Sequence, residues 1–130
     1  MNKIALIVAG GSGLRMGTTV PKQFLLLKGK PVLMNTIERF NSAKAFDLII
    51  VVLPKNEIQQ WEKLIAEHTF IVPHKIVAGG NSRAESVKNG LKEIREIEGH
   101  IAIHDGVRPL VSTNLIKRCI LLNMNFNHYE

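Results

Sequence analysis

Residues 4–9, Ile-Ala-Leu-Ile-Val-Ala, leave no polar face. That pattern is expected of a strand covered on both sides in a parallel sheet, and it predicts a first strand over residues 1–9. Gly10, Gly11, Gly13 and Gly17, followed by Pro21, predict a long irregular loop running toward residues 23–27 and a Lys28-Gly29-Lys30 turn. From about Pro31, the apolar positions Leu33, Ile37 and Phe40 recur at spacings of four and three, one face of a helix that tolerates proline in its first turn. Residues 48–53 read as a second buried strand stopped by Pro54. Asn56 is then placed to cap a helix whose inner stripe is Ile58, Trp61, Leu64 and Ile65, with Trp61 assigned to the core. A third strand is expected over residues 70–78, with Pro73 marking an edge or a break in it. After Gly79 and Gly80, Ser82 and Glu85 stand at capping-box spacing ahead of Val87, Leu91 and Ile94. Residues 100–104 form a fourth strand, and Ser112 is placed to cap a last helix.

Strand and helix therefore alternate four times. The expected fold class is α/β: a Rossmann-like, mainly parallel sheet with helices on both faces and ligands beyond the carboxyl ends of its strands. A length of 130 residues suits one core rather than two. The apolar runs are about six residues long, far short of the ~20 that span a bilayer, so no membrane partner is expected. The single cysteine, Cys119, excludes an internal disulfide framework and points to a cytoplasmic location. The net charge of +6 is local: five of the 17 Lys+Arg fall within residues 1–37, which hold no acid. Basic residues are not interleaved with aromatic ones, so no nucleic-acid partner is expected.

Three features follow directly after predicted strands: the glycine loop, residues 79–86, and residues 104–109. Gly10, Gly11 and Gly13 let backbone N–H groups approach an anion, and Arg15 and Lys22 add cationic charge to the same loop, which predicts a phosphate site. The dinucleotide fingerprint does not match, since the spacing is Gly11, Gly13, Gly17 and the second strand ends Val52-Leu53-Pro54. No Gly-Lys-Ser/Thr completes a Walker loop either.

Four blocks carry a resemblance. Ala9-Gly10-Gly11-Ser12-Gly13-Leu14-Arg15-Met16-Gly17, Pro21-Lys22-Gln23-Phe24, Gly79-Gly80-Asn81-Ser82-Arg83-Ala84-Glu85-Ser86-Val87 and His104-Asp105-Gly106-Val107-Arg108-Pro109 occur in an order similar to that of the 2-C-methyl-D-erythritol 4-phosphate cytidylyltransferase family. The resemblance runs from residue 1 to about 118 and implies the nucleotide-binding part of a single nucleotidyltransferase domain over residues 1–130, with the C-terminal segment absent. It implies an enzyme that joins CTP to a polyol phosphate and releases pyrophosphate in non-mevalonate isoprenoid synthesis. Ala9, Gly10, Gly11, Ser12 and Gly13 would wrap the nucleotide, and Arg15 and Lys22 would be the catalytic cations at the α-phosphate. Gly80, Asn81 and Ser86 lie where the family reads cytosine and ribose, Arg83 is a nucleotide contact or a loop brace, and Asp105 would face Mg2+. The complete enzyme would be a homodimer.

Plainer roles stand beside these. His104 ends a buried strand and reads as structural, and Arg108 as a brace for its loop. Asp105 alone would be a turn cap, and the capping box engages Ser82 while leaving Ser86 free. Gly106 and Val107 replace two alanines common in the family, with the loop expected to keep its shape, and Asn81 often stands as Asp. Residues that choose the polyol are missing, so a ribitol 5-phosphate cytidylyltransferase and a non-catalytic CTP-binding fragment remain the alternatives.

Overall fold

Strands that are apolar on both faces need cover on both faces, and the direction of each crossover decides which helix supplies it. The computed structural model describes residues 2–9, 20–94 and 99–109. Four parallel strands, β1 (Asn2–Val8), β4 (Leu48–Leu53), β5 (Lys75–Ala78) and β6 (Gly99–Asp105), form one sheet in the order β5-β4-β1-β6. Between β1 and β4 lie a small hairpin, β2 (Leu26–Leu27) and β3 (Lys30–Pro31), and helix α1 (Val32–Ser42). Helix α2 (Ile58–Glu67) joins β4 to β5, and α3 (Arg83–Lys92) joins β5 to β6.

Two crossovers step outward from β1 to β4 to β5, and the third returns across the sheet to the far side of β1. With right-handed connections, α1 and α2 must share one face and α3 must take the other. The buried side chains divide accordingly. Ala5, Ile7 and Ala9 pack with Leu33, Met34, Ile37 and Phe40 of α1, Ile49, Val51 and Leu53 of β4, and Trp61 of α2. On the opposite face, Ile4, Leu6 and Val8 meet Ile50, Val52, Ile103, Val87 of α3 and Ile94 just past it. This is the α/β arrangement that the apolar runs predict, and Trp61 lies fully in the core. Among the described residues, no helix is long and apolar enough to cross a membrane.

Local chemistry sets the element ends. Lys28 and Gly29 both take positive φ, 55° and 84°, as a two-residue hairpin turn requires. The Ser82 hydroxyl accepts the Glu85 N–H at 3.1 Å and caps α3 as its spacing foretells. Two expectations need correction. Asn56 does not cap α2: it sits inside a 3-10 turn, Lys55–Glu57, and α2 begins at Ile58 without a side-chain cap. The third strand starts at Lys75 rather than at residue 70, because Pro73 has no N–H to give a ladder. The stretch before it folds back on α2, with the Phe70 N–H on the Ile65 carbonyl at 3.0 Å and Phe70 and His74 packed around Trp61. The helix expected after Ser112, with Cys119, falls outside the described residues.

Gly90 lets α3 approach the sheet closely. A Cβ there would lie 2.5 Å from Leu6 Cδ1 and 3.0 Å from Val52 Cγ2. Glycine costs ~1 kcal/mol of helix propensity relative to alanine, so the close approach outweighs that cost. Gly90→Val is expected to destabilise the protein by about 2 kcal/mol through overpacking, and Gly90→Ala by less; urea denaturation, read as a lower midpoint at unchanged slope, checks both.

Candidate functional site

Strand order reverses at β1, whose neighbours β4 and β6 are reached in opposite directions. Open α/β sheets bind ligands beyond the carboxyl ends of their strands at such a reversal, which here directs attention to the ends of β1 and β6. Val8 and Asp105 are level in the register, and pairing continues one residue further: the Ala9 N–H bonds the Val52 carbonyl at 2.9 Å and the Gly106 N–H bonds the Val8 carbonyl at 2.8 Å. Ala9 is buried and its N–H is engaged, so it fixes where the glycine loop departs and has no amide left for a ligand. Gly10, Gly11, Ser12, Gly13 and Arg15 lie outside the described residues.

The loop after β6 is held from both sides. Thr36, fully buried in α1, donates its hydroxyl to the Gly106 carbonyl at 2.7 Å. Asp105 Oδ1 accepts the Val107 N–H at 3.1 Å, while among the described residues Oδ2 faces the Arg108 Nε at 3.6 Å, an exposed pair of little energetic weight. A Cβ on Gly106 would come within 2.9 Å of Ala9 Cβ and 3.1 Å of Leu33 Cδ1. An alanine here would therefore push its neighbours apart, so Gly106 lets the loop lie close against β1 and α1.

His104 is structural, as its place on a buried strand suggests. Its Nε2–H donates to the Arg108 carbonyl at 2.9 Å and its ring tilts against Phe40. Burial lowers its pKa, against the raising effects of that carbonyl and of the Asp105 charge, with the Arg108 and Arg83 charges lowering it further. Arg108 thus braces the loop through its carbonyl rather than its exposed side chain.

Gly79 and Gly80 pack against the first turn of α3. The Gly79 N–H bonds the Leu53 carbonyl at 2.6 Å, the Gly80 N–H donates to Ser86 Oγ at 3.1 Å, and a Cβ on Gly79 would lie 2.7 Å from that oxygen. Ser86 is buried, so its hydroxyl shapes this turn from beneath. Asn81 and Arg83 are exposed above it, and among the described residues no hydrogen bond engages their side chains.

Lys22 opens a 3-10 turn, Lys22–Phe24, and is exposed, whereas the next two residues are buried. Phe24 stacks on Trp61 with ring centroids 5.8 Å apart and planes 6° from parallel. The Gln23 side-chain amide donates to Glu57 Oε1 inside the protein. Burial pushes the Glu57 carboxyl up to about 6, opposed by the Gln23 hydrogen bond. Nothing in the sequence marks Glu57, since its partner is 34 residues away and Asn56 offers the more familiar cap. Gln23 stands within a recognised block, but no role attaches to it there.

Among the described residues, no three His, Cys, Asp or Glu side chains gather as a metal cluster. Magnesium takes most of its ligands from phosphate and water and often needs only one carboxylate. Asp105, whose Oδ2 among the described residues has the exposed Arg108 at 3.6 Å as its nearest donor, is a carboxylate of the kind such an ion takes.

The family model for 2-C-methyl-D-erythritol 4-phosphate cytidylyltransferase matches residues 3–127. The enzyme of that name from Bacteroides fragilis is 52% identical over 121 residues, covering 93% of this chain and 55% of the relative. That from Porphyromonas gingivalis is 52% identical over 117 residues, covering 90% and 51%. The chain thus spans about half the length of the curated relatives it matches. A crystal structure of a 4-diphosphocytidyl-2C-methyl-D-erythritol synthase superposes with a TM-score of 0.73 at 28% identity, covering 92% of this chain and 53% of that one. A Mycobacterium tuberculosis protein solved in complex with manganese has a TM-score of 0.74 at 19% identity, covering 95% and 60%, and shows the fold alone.

The buried titratable groups act on stability in opposite directions. His74 Nε2 accepts the Trp61 Nε1–H at 3.1 Å while Nδ1–H donates to the Val72 carbonyl at 2.8 Å, so this ring, like His104, is held neutral. Burial lowers both histidine pKa values, so their contribution is present above their usual 6.5 and is lost as pH falls through the folded values. Glu57 runs the other way, contributing below 4.5 and losing that contribution as pH rises through about 6. Glu57→Gln is expected to stabilise the protein by roughly 1–2 kcal/mol near pH 7, and that gain should vanish by pH 4.5. The variant's stability should therefore fall more steeply than the wild type's on acidification, as urea midpoints across that range will measure.

Proposed function

The chain belongs to the 2-C-methyl-D-erythritol 4-phosphate cytidylyltransferase family, and from that premise we propose that it forms the CTP-binding portion of an enzyme joining CTP to 2-C-methyl-D-erythritol 4-phosphate with release of pyrophosphate. One observation carries this reading. The Gly79 to Arg83 turn, the Asp105 loop and the end of β1 all lie at the carboxyl end of the one parallel sheet whose strand order reverses at β1, and the Lys22 turn is docked on the segment that follows β4.

The chemistry asks for charge and position rather than for an acid–base pair. A phosphate oxygen of the polyol phosphate attacks the α-phosphorus of CTP, and the bond from that phosphorus to the oxygen bridging to the β-phosphorus breaks in line. The attacking oxygen is already ionised near neutral pH, so no general base is needed. Lys22 and Arg15 would neutralise charge growing on the α-phosphate oxygens, an interaction stronger in the transition state than in the ground state. Asp105 would hold Mg2+, which when bound draws negative charge from the triphosphate. Asn81 and Arg83 would meet the nucleoside, over a turn that the Gly80 to Ser86 hydrogen bond shapes. In the complete protein we place the active form in the cytoplasm as a homodimer.

Calorimetric titration with CTP, UTP and ATP tests the binding step. CTP should bind at least ~10-fold more tightly than the other two, a difference of about 1.4 kcal/mol; equal affinity would overturn the cytidine assignment. Lys22→Ala should lower turnover by about 100- to 1,000-fold while changing CTP affinity far less, and steady-state kinetics with both constants resolved would reveal the split.

A further inference from the structure

A buried carboxylate that serves no catalytic step needs a reason to be where it is. Glu57 is 6% exposed, Gln23 is fully buried, and among the described residues Gln23 Oε1 has no hydrogen-bond partner. Burying a carboxylate and leaving an amide oxygen unpaired each cost free energy that an apolar pair of similar volume would not. Fold stability alone therefore does not account for the pair.

Its location suggests what does. Among the described residues no hydrogen bond or ion pair engages the Lys22 ammonium, and what these residues contribute to its placement is the backbone beneath it. That backbone is a single 3-10 turn, closed by the Phe24 N–H on the Pro21 carbonyl at 2.9 Å and the Leu25 N–H on the Lys22 carbonyl at 3.2 Å. Phe24 anchors the turn through its stack on Trp61, but stacking tolerates sliding and rotation in the plane of the rings. The Gln23 amide adds what a stack lacks, a directional bond to a carboxylate fixed at the start of α2. Resting on the reading of Lys22 as the cation at the α-phosphate, we propose that Glu57 is a positioning residue that acts through Gln23 to hold Lys22 in register with the nucleotide.

Two measurements test this. Without any ligand, amide hydrogen exchange at Phe24 and Leu25 should quicken by about 10-fold in Glu57→Ala relative to a reference amide in the core such as Ala9. Glu57→Gln should keep wild-type exchange, because its amide can accept from Gln23 Nε2 and donate to Gln23 Oε1. Should Glu57→Ala fail to fold, the double variant Gln23→Met and Glu57→Met removes the bond at similar volume, and the same loss of protection is expected. Unchanged exchange in these variants would overturn the proposal.

The second measurement is a double-mutant cycle on pyrophosphate release from CTP and 2-C-methyl-D-erythritol 4-phosphate. Glu57→Ala, or the paired methionine variant, should lower turnover about 10- to 100-fold with the KM for CTP little changed, and Glu57→Gln should restore it. Added to Lys22→Ala, the same change should cost less than about 3-fold more, since once the lysine is gone its placement no longer matters. Multiplicative losses would mean a general structural role and would overturn the proposal. A wild-type protein that neither bound CTP nor released pyrophosphate would count against the proposed function instead, while the exchange experiment would still decide whether Glu57 holds the Lys22 turn.

Discussion

The reversal of strand order at β1 is the constraint on which the rest depends. A sheet built in the order β5-β4-β1-β6 from right-handed crossovers can be covered only by α1 and α2 on one face and α3 on the other. Open α/β sheets bind ligands beyond the carboxyl ends of their strands where the order reverses. The end of β1 and Asp105 of β6 stand side by side at that place, with Asp105 level with Val8 across the ladder. Chemistry placed at this point follows from the order of the chain, before any particular side chain is considered.

The reversal also explains why β1 is apolar on both faces without a break. Residues 4, 6 and 8 belong to the α3 core and residues 5, 7 and 9 to the α1 and α2 core, so a polar residue anywhere in that run would be buried. Gly90 follows from the same demand. With α3 laid directly over β1 and β4, its closest point of approach has room only for a hydrogen between Leu6 and Val52.

Much of this is legible in sequence, for a physical reason. The periods of β1, β4, α1 and α3 are set by burial, which acts on runs of residues, and the turn at Lys28 and Gly29 and the cap at Ser82 are local chemistry that neighbouring letters carry. Where the outcome depends on residues far apart, the letters fall silent. The third strand is shortened because the stretch around Pro73 packs on Trp61, and Asn56 loses its capping role to a 3-10 turn whose last residue is drawn into a buried pair. Within the candidate site, Asp105 and Lys22 can be found from motifs. Thr36 and Glu57 cannot, since each acts on a segment brought to it only by the fold, 70 and 34 residues away in sequence.

Those two belong to a wider regularity. Gln23, Thr36, Glu57, Ser86 and His104 make up the buried polar side chains among the described residues, and each is bonded at the carboxyl end of the sheet. Glu57 and Gln23 tie down the segment after β4, Ser86 the turn after β5, and Thr36 and His104 the loop after β6. A hydrophobic core gains nothing from such groups, and their cost is tolerable only because each is hydrogen-bonded. Their shared placement gives the loops a rigidity that apolar packing, which lacks direction, does not supply. A site that works by aiming fixed charge at a phosphorus needs that rigidity in advance, because every ångström of adjustment during the reaction would return part of the electrostatic advantage. Among the described residues, the buried polar side chains thus gather at the end of the sheet where pre-organisation matters, and the opposite end is left to ordinary packing.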